Sequence, residues 1–328
     1  MKLSIGWFAA MFTVLSAAGC RSHESAPTTR PIQPVLQRWE YRQLSMGVAV
    51  RLVLYAPDED TAFNAAKDAY ARVASINEAA SDYKLDSELM RLCKKSGQGP
   101  VKVGDDLYTL LEKSVEVSRR SHGVFDCTVG PLVKLWRAAR KSGKLPAAED
   151  IEKARALVGW EKIRLDPQNR TAELLEPRMQ LDMGGIAKGY AGDKALETLA
   201  KHGVTRALFE AGGDLVLGDA PPNQKGWKIE ITGGREGPDQ VLELANCAVS
   251  TSGDTEQFVE IDGKHYSHVV DPRTGLGVTS RLLVTLIMRK GLDADPLSKM
   301  CGVLGEEGAA ELMRAYPEAR VFLRHPKQ

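Results

Sequence analysis

The segment 179–193, which reads MQLDMGGIAKGYAGD, constrains the fold of this chain more than any other stretch. A short apolar run ends at Asp182, two glycines follow, and helical periodicity then begins, which predicts a break and a helix. The helix should continue to about His202, with Gly203 as its stop signal. A glycine break ahead of a helix presents backbone N–H groups, and such groups suit an anion such as phosphate.

Charged residues flank this glycine break on both sides. Lys188 lies in the first predicted helical turn, and Asp182 lies two residues before the glycines. A carboxylate, backbone donors and a lysine within seven residues favour a bound, metal-associated phosphate ester. An ordinary strand–turn–helix corner would explain the same residues, because the pattern matches neither GxGxxG nor a Walker loop.

The composition is that of a globular protein. The chain has 328 residues, of which 43% are hydrophobic and 27% charged, with a net charge of +1. This near-neutral balance gives no electrostatic reason to expect a nucleic-acid partner. The sequence contains no internal repeat and no linker after residue 37, so we predict one domain over residues 37–328.

The N-terminal residues are typical of an export signal. Residues 5–18 form an apolar run of the length of a signal-peptide core, which is too short to span a bilayer. The following Gly-Cys pair predicts a lipoprotein signal over residues 1–19, with Cys20 lipidated and anchored to a membrane. A secretory signal with a chance cysteine is the alternative. Residues 20–36, rich in Ser, Pro, Thr and Gln, are predicted to be a disordered tether.

Strand-like and helix-like patterns interleave without a βαβ period, which predicts an α+β fold with mostly antiparallel sheets. Hairpins are expected at Gly47 and at Asp262-Gly263. The apolar stretch 281–288 should be a central strand, followed by two helices and a last strand. The remaining cysteines show no CxxC spacing, so we expect small buried apolar residues and no zinc site; they are Cys93, Cys127, Cys247 and Cys301.

Glycine-rich polar segments in the C-terminal half are candidates for ligand-binding loops. His268 precedes Asp271 and Arg273, and a histidine in this setting is either a general base or a structural residue of a turn. Asp293 and Asp295 stand together just before a predicted helix. They would serve either as oxygen ligands to Mg²⁺ or as helix caps.

Seven motifs in order resemble one family, the FAD:protein FMN transferases, or ApbE family, from about residue 46 to residue 305. The motifs are SDYKLDSEL (81–89), GVFDCTVGPL (123–132), LDMGGIAKGY (181–190), AGGD (211–214), STSGD (250–254), HVVDPRTG (268–275) and AD (294–295). The resemblance implies an α+β enzyme on the periplasmic side of a membrane, often lipid-anchored, in the cell membrane or the outer membrane.

The resemblance also implies a reaction and its partners. The family binds FAD with Mg²⁺ and transfers the FMN moiety to a Ser or Thr hydroxyl of a partner flavoprotein, with release of AMP. The acceptor carries an Asp-Gly-Ala-Thr-like sequence. Two alternatives stay open: an FAD-binding lipoprotein without transfer activity, and an FAD pyrophosphatase that yields FMN and AMP.

Site residues follow from the matching positions. His268 matches the base that deprotonates the acceptor hydroxyl, and the metal positions are the Gly185 carbonyl, Asp295 and position 299. The FAD-contacting positions are Met46, Tyr83, Val124, Phe125, Asp126, Asp182, Lys188 and Val278.

This chain departs from the family at one metal position. Residue 299 is Lys where the family has Thr or Ser, and an ammonium group has no lone pair with which to ligate Mg²⁺. We therefore expect Lys299 to pair with Asp295 and the metal to be weakened, displaced or absent. Ser298 should point about 100° away on the helix. Cys127 and Val48 replace a Pro and a Thr of the family, without evident consequence.

Overall fold

The computed structural model describes residues 35–253 and 258–326 of the chain. Within these ranges the α+β class is confirmed, because the elements mix helices with antiparallel strands. The predicted signal segment and Cys20 lie outside the described residues, and the predicted tether overlaps them only at residues 35 and 36. In the described ranges, no helix combines the length and the apolarity needed to cross a membrane.

Seven strands form the main sheet, and every neighbouring pair is antiparallel. In spatial order they are β1 (Gln37–Ser45), β2 (Val48–Ala56), β6 (Ala207–Ala211), β7 (Asp214–Leu217), β10 (Cys247–Ser252), β13 (Leu283–Met288) and β14 (Arg320–Arg324). The apolar strand β13 is interior, as its burial on both faces requires. It lies one place from the edge, however, and β7 holds the centre.

Smaller sheets and seven helices complete the described part of the chain. The strands are β3 (Val101–Lys102), β4 (Ile163–Asp166), β5 (Thr171–Leu174), β8 (Trp227–Ile231), β9 (Gln240–Leu244), β11 (Phe258–Ile261) and β12 (Lys264–Ser267). The helices are α1 (Glu59–Ala80), α2 (Glu88–Lys94), α3 (Asp105–Arg120), α4 (Gly130–Ser142), α5 (Ala148–Arg155), α6 (Ala187–Lys201) and α7 (Gly291–Arg314).

Both predicted hairpin turns are confirmed, and their backbone angles explain the sequence. Met46 and Gly47 have φ values of +53° and +75°, and Asp262 and Gly263 have +51° and +72°. Two successive positive φ values are the mark of the type I′ turn, which matches the twist of the flanking strands and favours Asp-Gly or Asn-Gly. The two-residue turns Met46-Gly47 and Asp262-Gly263 therefore fix the register of β1 on β2 and of β11 on β12.

The two faces of the main sheet are covered differently. Alternate residues of β2, including Leu52 and Leu54, are fully buried in the core that this face of the sheet shares with α1, α6 and α7. Each such leucine contributes about 1.5–3 kcal/mol by burial. The opposite face, represented by Val53, packs against the hairpin β8–β9. A third cluster joins α4 and α5 to β11 and β12 around Trp136.

Helix α7 contains both helices predicted after residue 288, because they run together with an interruption at Gly305, where φ is +72° and ψ is −173°. Asp293 and Asp295 were expected just before this helix, and that prediction is wrong, since the helix begins at Gly291. Asp193 of α6 caps this start, with its carboxylate accepting the Gly291 and Leu292 N–H groups at 2.8 and 3.0 Å. The cap lies far away in sequence, so no local pattern marks it.

Candidate active site

The glycine break at residues 184–185 is stabilised from both sides. Asp182 Oδ1 accepts the Gly184 N–H at 2.7 Å, and Lys188 Nζ donates to the Gly184 carbonyl at 3.1 Å. The ring of Phe125 lies under Gly185, where an added Cβ would meet the ring at 3.2 Å. The structure thus brings together four predicted site residues from two separate motifs.

The predicted anion position at the start of α6 is filled by a carboxylate of the chain itself. Asp295 Oδ2 accepts the Gly189 N–H in the first turn of α6, at 3.1 Å. The approach depends on two glycines, because a Cβ on Gly189 would lie 2.0 Å from the Gly291 carbonyl oxygen and a Cβ on Gly291 would lie 2.3 Å from that of Gly189. The N-terminal end of α6, which carries the partial positive charge of the helix dipole, therefore faces the Asp295 carboxylate.

Two lysines and two aspartates form a four-charge cluster beside the glycine break. Lys188 Nζ lies 3.0 Å from Asp214 Oδ2 and 3.9 Å from Asp295 Oδ2. Lys299 Nζ lies 2.5 Å from Asp295 Oδ1 and 3.8 Å from Asp214 Oδ1. Each carboxylate thus faces both ammonium groups. The aspartate side chains are at most 3% exposed and the lysines 17% exposed, so water screens these charges weakly.

Burial and pairing act against each other on the pKa values of this cluster. Burial lowers the pKa of Lys188, but the negative charges of Asp214 and Asp295 outweigh it, and the pKa lies above its usual value. Burial raises the pKa of Asp295, but Lys188, Lys299 and the Gly189 N–H outweigh it, and the pKa lies below its usual value. These shifts hold Lys188 and Asp295 in their charged forms at neutral pH.

Hydroxyl groups line the base of the four-charge cluster. Ser250 donates to Asp214 and lies 2.9 Å from the Ser298 hydroxyl, which donates to the Asp295 carbonyl at 2.9 Å. Residues 298 and 299 are about 100° apart around the helix axis, yet their side chains meet in the cluster. Lys299 Nζ lies 3.4 Å from Ser298 Oγ, because the long lysine side chain reaches back over the helix. Asp214 and Ser250 are across-strand partners of β7 and β10, a pairing that sequence patterns do not reveal.

Lys188 forms an ion pair with Asp214, with its Nζ 3.0 Å from Asp214 Oδ2. The same Nζ donates to the Gly184 carbonyl. An ammonium group has more donors than these two contacts use, so Lys188 keeps at least one donor for a ligand.

Asp182 also belongs to a second charged group that the sequence did not indicate. Arg137 of α4 lies 3.1 Å from Asp182 Oδ2 and also pairs with Asp82. Burial and the nearby Asp82 charge raise the pKa of Asp182 above its usual value, despite Arg137 and the Gly184 N–H. Arg137 is 43% exposed and stands at the solvent side of this group.

Met46 and Tyr83 lie together at one end of the main sheet. The Tyr83 hydroxyl is 3.8 Å from the position that a Cβ on Gly47 would take, and it donates to Asn77 Oδ1 at 3.0 Å. Tyr83 is 52% exposed, so its ring offers an apolar surface to a ligand.

Asp126 is a predicted FAD contact, but both of its carboxylate oxygens accept hydrogen bonds from other residues of the protein. Its carboxylate accepts hydrogen bonds from the Thr128 N–H, the Thr128 hydroxyl and the Trp160 N–H, at 2.8, 2.6 and 2.9 Å. Burial raises the pKa of this carboxyl. These contacts fix the loop that carries Val124 and Phe125, both of which are buried.

His268 directly follows β12 and is half-buried. Hydrogen bonds from Ser267 N–H to the Val278 carbonyl at 2.8 Å and from Val278 N–H to the Val269 carbonyl at 2.9 Å tie Val278 to the backbone on both sides of His268. Trp136 Nε1 donates to the Gly275 carbonyl at 2.8 Å and supports the turn between them.

The segment from His268 to Val278 is called the histidine turn. A small cleft lies between this turn and the main sheet. Its lining includes Val269 and Val278 from the turn, Ser252 from the end of β10, and Gly302 from α7, one helical turn past Lys299. The histidine turn therefore lies on the side of the sheet that carries the four-charge cluster.

The model of the ApbE family matches residues 46–323 of this chain. The chain belongs to the ApbE family. It is 29% identical to an FAD:protein FMN transferase of Treponema pallidum over 300 residues, which cover 86% of this chain and 83% of that protein. It is 31% identical to one of Haemophilus influenzae over 252 residues, covering 74% and 73%. The flavin transferase ApbE from Vibrio cholerae superposes with a TM-score of 0.80 at 26% identity, covering 88% and 93%.

The Mg²⁺ position implied by the ApbE resemblance does not fit the residues of this chain. Lys299 Nζ lies 2.5 Å from Asp295 Oδ1, so a cation already occupies the coordination side of the one charged metal ligand. Among residues 35–253 and 258–326, no three His, Cys, Asp or Glu side chains come together as a metal site. A bound Mg²⁺ would have to displace an ammonium group that cannot ligate it.

Proposed function

We propose that this protein transfers the FMN moiety of FAD to a Ser or Thr hydroxyl of a partner flavoprotein and releases AMP. One observation carries the proposal: the ApbE family match spans residues 46–323, and the relatives that cover most of the chain are named FAD:protein FMN transferases. In the reaction the hydroxyl oxygen bonds to the FMN phosphorus, the bond between the two phosphates breaks, and AMP leaves.

The charge and the position of Lys188 support the placement of the FAD pyrophosphate at the glycine break. Lys188 is held at the break by the Gly184 carbonyl, and it keeps at least one donor for an incoming phosphate oxygen. Its elevated pKa keeps it positive, so it offsets the charge that develops on the phosphoryl oxygens. Tyr83 and Met46 supply apolar surface for the flavin, and the buried Phe125 ring supports the glycine break from below.

His268 acts in this proposal as the general base. It takes the proton of the acceptor hydroxyl, which is a weak nucleophile until it is deprotonated. His268 follows β12 directly, and its neighbours Ser267 and Val269 meet the end of β10 and α7, which supports a position of the base next to the FAD site. The acceptor is a protein with an Asp-Gly-Ala-Thr-like sequence. A lipid on Cys20 anchors the enzyme to the cell membrane or the outer membrane, facing the periplasm.

The test is a mass measurement on the acceptor. Purified full-length protein is incubated with FAD and an acceptor protein that carries the Asp-Gly-Ala-Thr-like sequence. We expect a gain of one FMN in the intact mass, and a rate roughly 10²–10⁴-fold lower for His268→Ala, since general base catalysis contributes that much. His265→Ala, three residues away on β12, is the matched control.

Other outcomes identify the alternatives. Release of free FMN and AMP without acceptor labelling would assign a pyrophosphatase. Bound FAD without either product would assign a flavin-binding protein.

A further inference from the structure

Lys299 stands in the four-charge cluster as the counterpart of Lys188. Asp295 offers Oδ1 to Lys299 and Oδ2 to Lys188, and Asp214 likewise offers Oδ1 to Lys299 and Oδ2 to Lys188. The four groups therefore alternate in sign, and the two ammonium groups occupy equivalent places relative to the carboxylates.

Both lysines also border the glycine break. Lys188 donates to the Gly184 carbonyl, and Lys299 Cγ lies 3.9 Å from the position that a Cβ on Gly185 would take. The hydroxyls of Ser250 and Ser298 hold Lys299 Nζ from the inner side, at 3.5 and 3.4 Å. The ammonium group is thus fixed next to the backbone where the proposed reaction puts the pyrophosphate.

We infer that Lys299 takes the place of a divalent metal ion as the second phosphate-binding cation, so that this enzyme transfers FMN without Mg²⁺. The inference rests on the proposed function for its substrate. It rests on the structure for the cation, since two lysines and two aspartates sum to zero charge, and the side chains of the cluster therefore leave no net negative charge for a metal to neutralise.

Replacement of Lys299 by a neutral residue should make the net charge of the cluster negative and so favour metal binding. Lys299→Thr leaves one lysine against Asp214 and Asp295, a net charge of −1, and frees Asp295 Oδ1 together with the new hydroxyl as oxygen ligands. Hard oxygen donors of this kind bind Mg²⁺ and Mn²⁺. Lys299→Met removes the cation without supplying a ligand.

Mn²⁺ serves as the probe, because its free form gives an electron paramagnetic resonance signal that falls on binding. Full-length wild type, Lys299→Thr, Lys299→Met and the exposed control Lys153→Thr are titrated with Mn²⁺, with and without FAD. We expect binding of about one Mn²⁺ per chain, competed by Mg²⁺, in Lys299→Thr alone. Mn²⁺ binding by the wild type, competed by Mg²⁺, would overturn the inference.

Acceptor labelling in EDTA and in Mg²⁺ gives the second readout. The wild-type rate should be the same in both, Lys299→Thr should label the acceptor only with Mg²⁺, and Lys299→Met should be roughly 10²–10³-fold slower in both. A wild-type rate that EDTA abolishes contradicts the inference. If no variant labels the acceptor, the proposed transfer fails, whereas the Mn²⁺ titrations still decide whether Lys299 replaces the metal.

Discussion

The four-charge cluster and the histidine turn are the two halves of the candidate site, and they are built in different ways. The cluster draws its side chains from helices α6 and α7 and strand β7, and its two aspartates are buried while its two lysines are 17% exposed. The histidine turn follows a two-stranded sheet and depends on backbone hydrogen bonds and on Trp136. Fixed charges thus stand on packed elements, while the proposed base stands on a loop, where sequence and shape vary most readily. This contrast suits an enzyme that binds one constant cofactor and meets a protein acceptor.

The largest expected effects on stability and on labelling rate come from a substitution in the four-charge cluster. Lys188→Met removes one cation from beside two buried carboxylates, and the loss of one partner of a buried pair costs about 3–5 kcal/mol of unfolding free energy. The labelling rate should fall roughly 10²–10³-fold, because a charge facing the transferred phosphoryl group is gone. Urea unfolding and acceptor mass measure the two effects. Lys194→Met, on the same helix but paired at the surface with Glu197, is the control and should change neither appreciably.

The next effect depends on pH and concerns the start of α7. Burial raises the pKa of Asp193 to about 6, above that of an unfolded aspartate, so the folded state binds this proton more tightly. Relative to Asp193→Asn, the wild type should therefore lose unfolding free energy as pH rises from about 4 to about 6, by at most about 3 kcal/mol. Urea unfolding across that range measures the difference. Parallel curves for the two proteins would show that the cap does not titrate with folding.

A smaller effect tests the close approach of α6 and α7. Gly189→Ala drives a methyl group into the Gly291 carbonyl, so the helices must separate, at a cost of about 1–3 kcal/mol. The separation also moves Asp295 away from the four-charge cluster, so FAD affinity should fall with stability. Gly302→Ala on α7 is the matched control, because its Cβ would meet no atom within 4 Å; it should stabilise the protein by about 0.5–1 kcal/mol.

The smallest expected effect on stability comes from a substitution that supports the histidine turn. Trp136→Phe removes the hydrogen bond to the Gly275 carbonyl, which contributes about 0.5–1.5 kcal/mol. The labelling rate should fall while FAD affinity, measured by flavin fluorescence, stays unchanged. Trp227→Phe loses a comparable bond to the Asp219 carbonyl on the far face of the sheet. Trp227→Phe should cost similar stability and leave the labelling rate intact. Equal losses of labelling rate in both variants would show that the rate does not depend on the histidine turn in particular.

Local chemistry made much of the fold predictable from sequence. The Asp262-Gly263 turn, the period-two strand Trp227–Ile231 and the helix after Gly185 each carry their signal within a few residues. Helix α2 was not predicted, because its seven residues are too few for a periodic pattern. The break at Gly305 lies where two helices were expected, yet the start of the first was misplaced because its cap, Asp193, belongs to another helix.

The site was predictable only in part, for a related reason. Lys188 and Asp182 are marked by the glycine break, and the exceptional Lys299 emerges once the chain is set beside its family. Asp214, Ser250 and Arg137 reach the site through strand pairing and helix packing. Asp214 and Ser250 both belong to glycine-rich motifs of the sequence, but their contact across 36 positions depends on strand pairing, which a single sequence does not reveal.

The cysteines of the described chain carry a practical consequence. All four are unpaired thiols; Cys93, Cys127 and Cys301 are buried and only Cys247 is partly accessible. Burial raises the pKa of the Cys93 thiol to about 11 and that of Cys301 to about 12, which suppresses the reactive thiolate. The described part of the chain therefore holds its fold without a disulfide between these four residues. Cys247, at the start of β10, is the most accessible of the four, so a thiol-directed spectroscopic label should react there first, although burial also raises the pKa of its thiol.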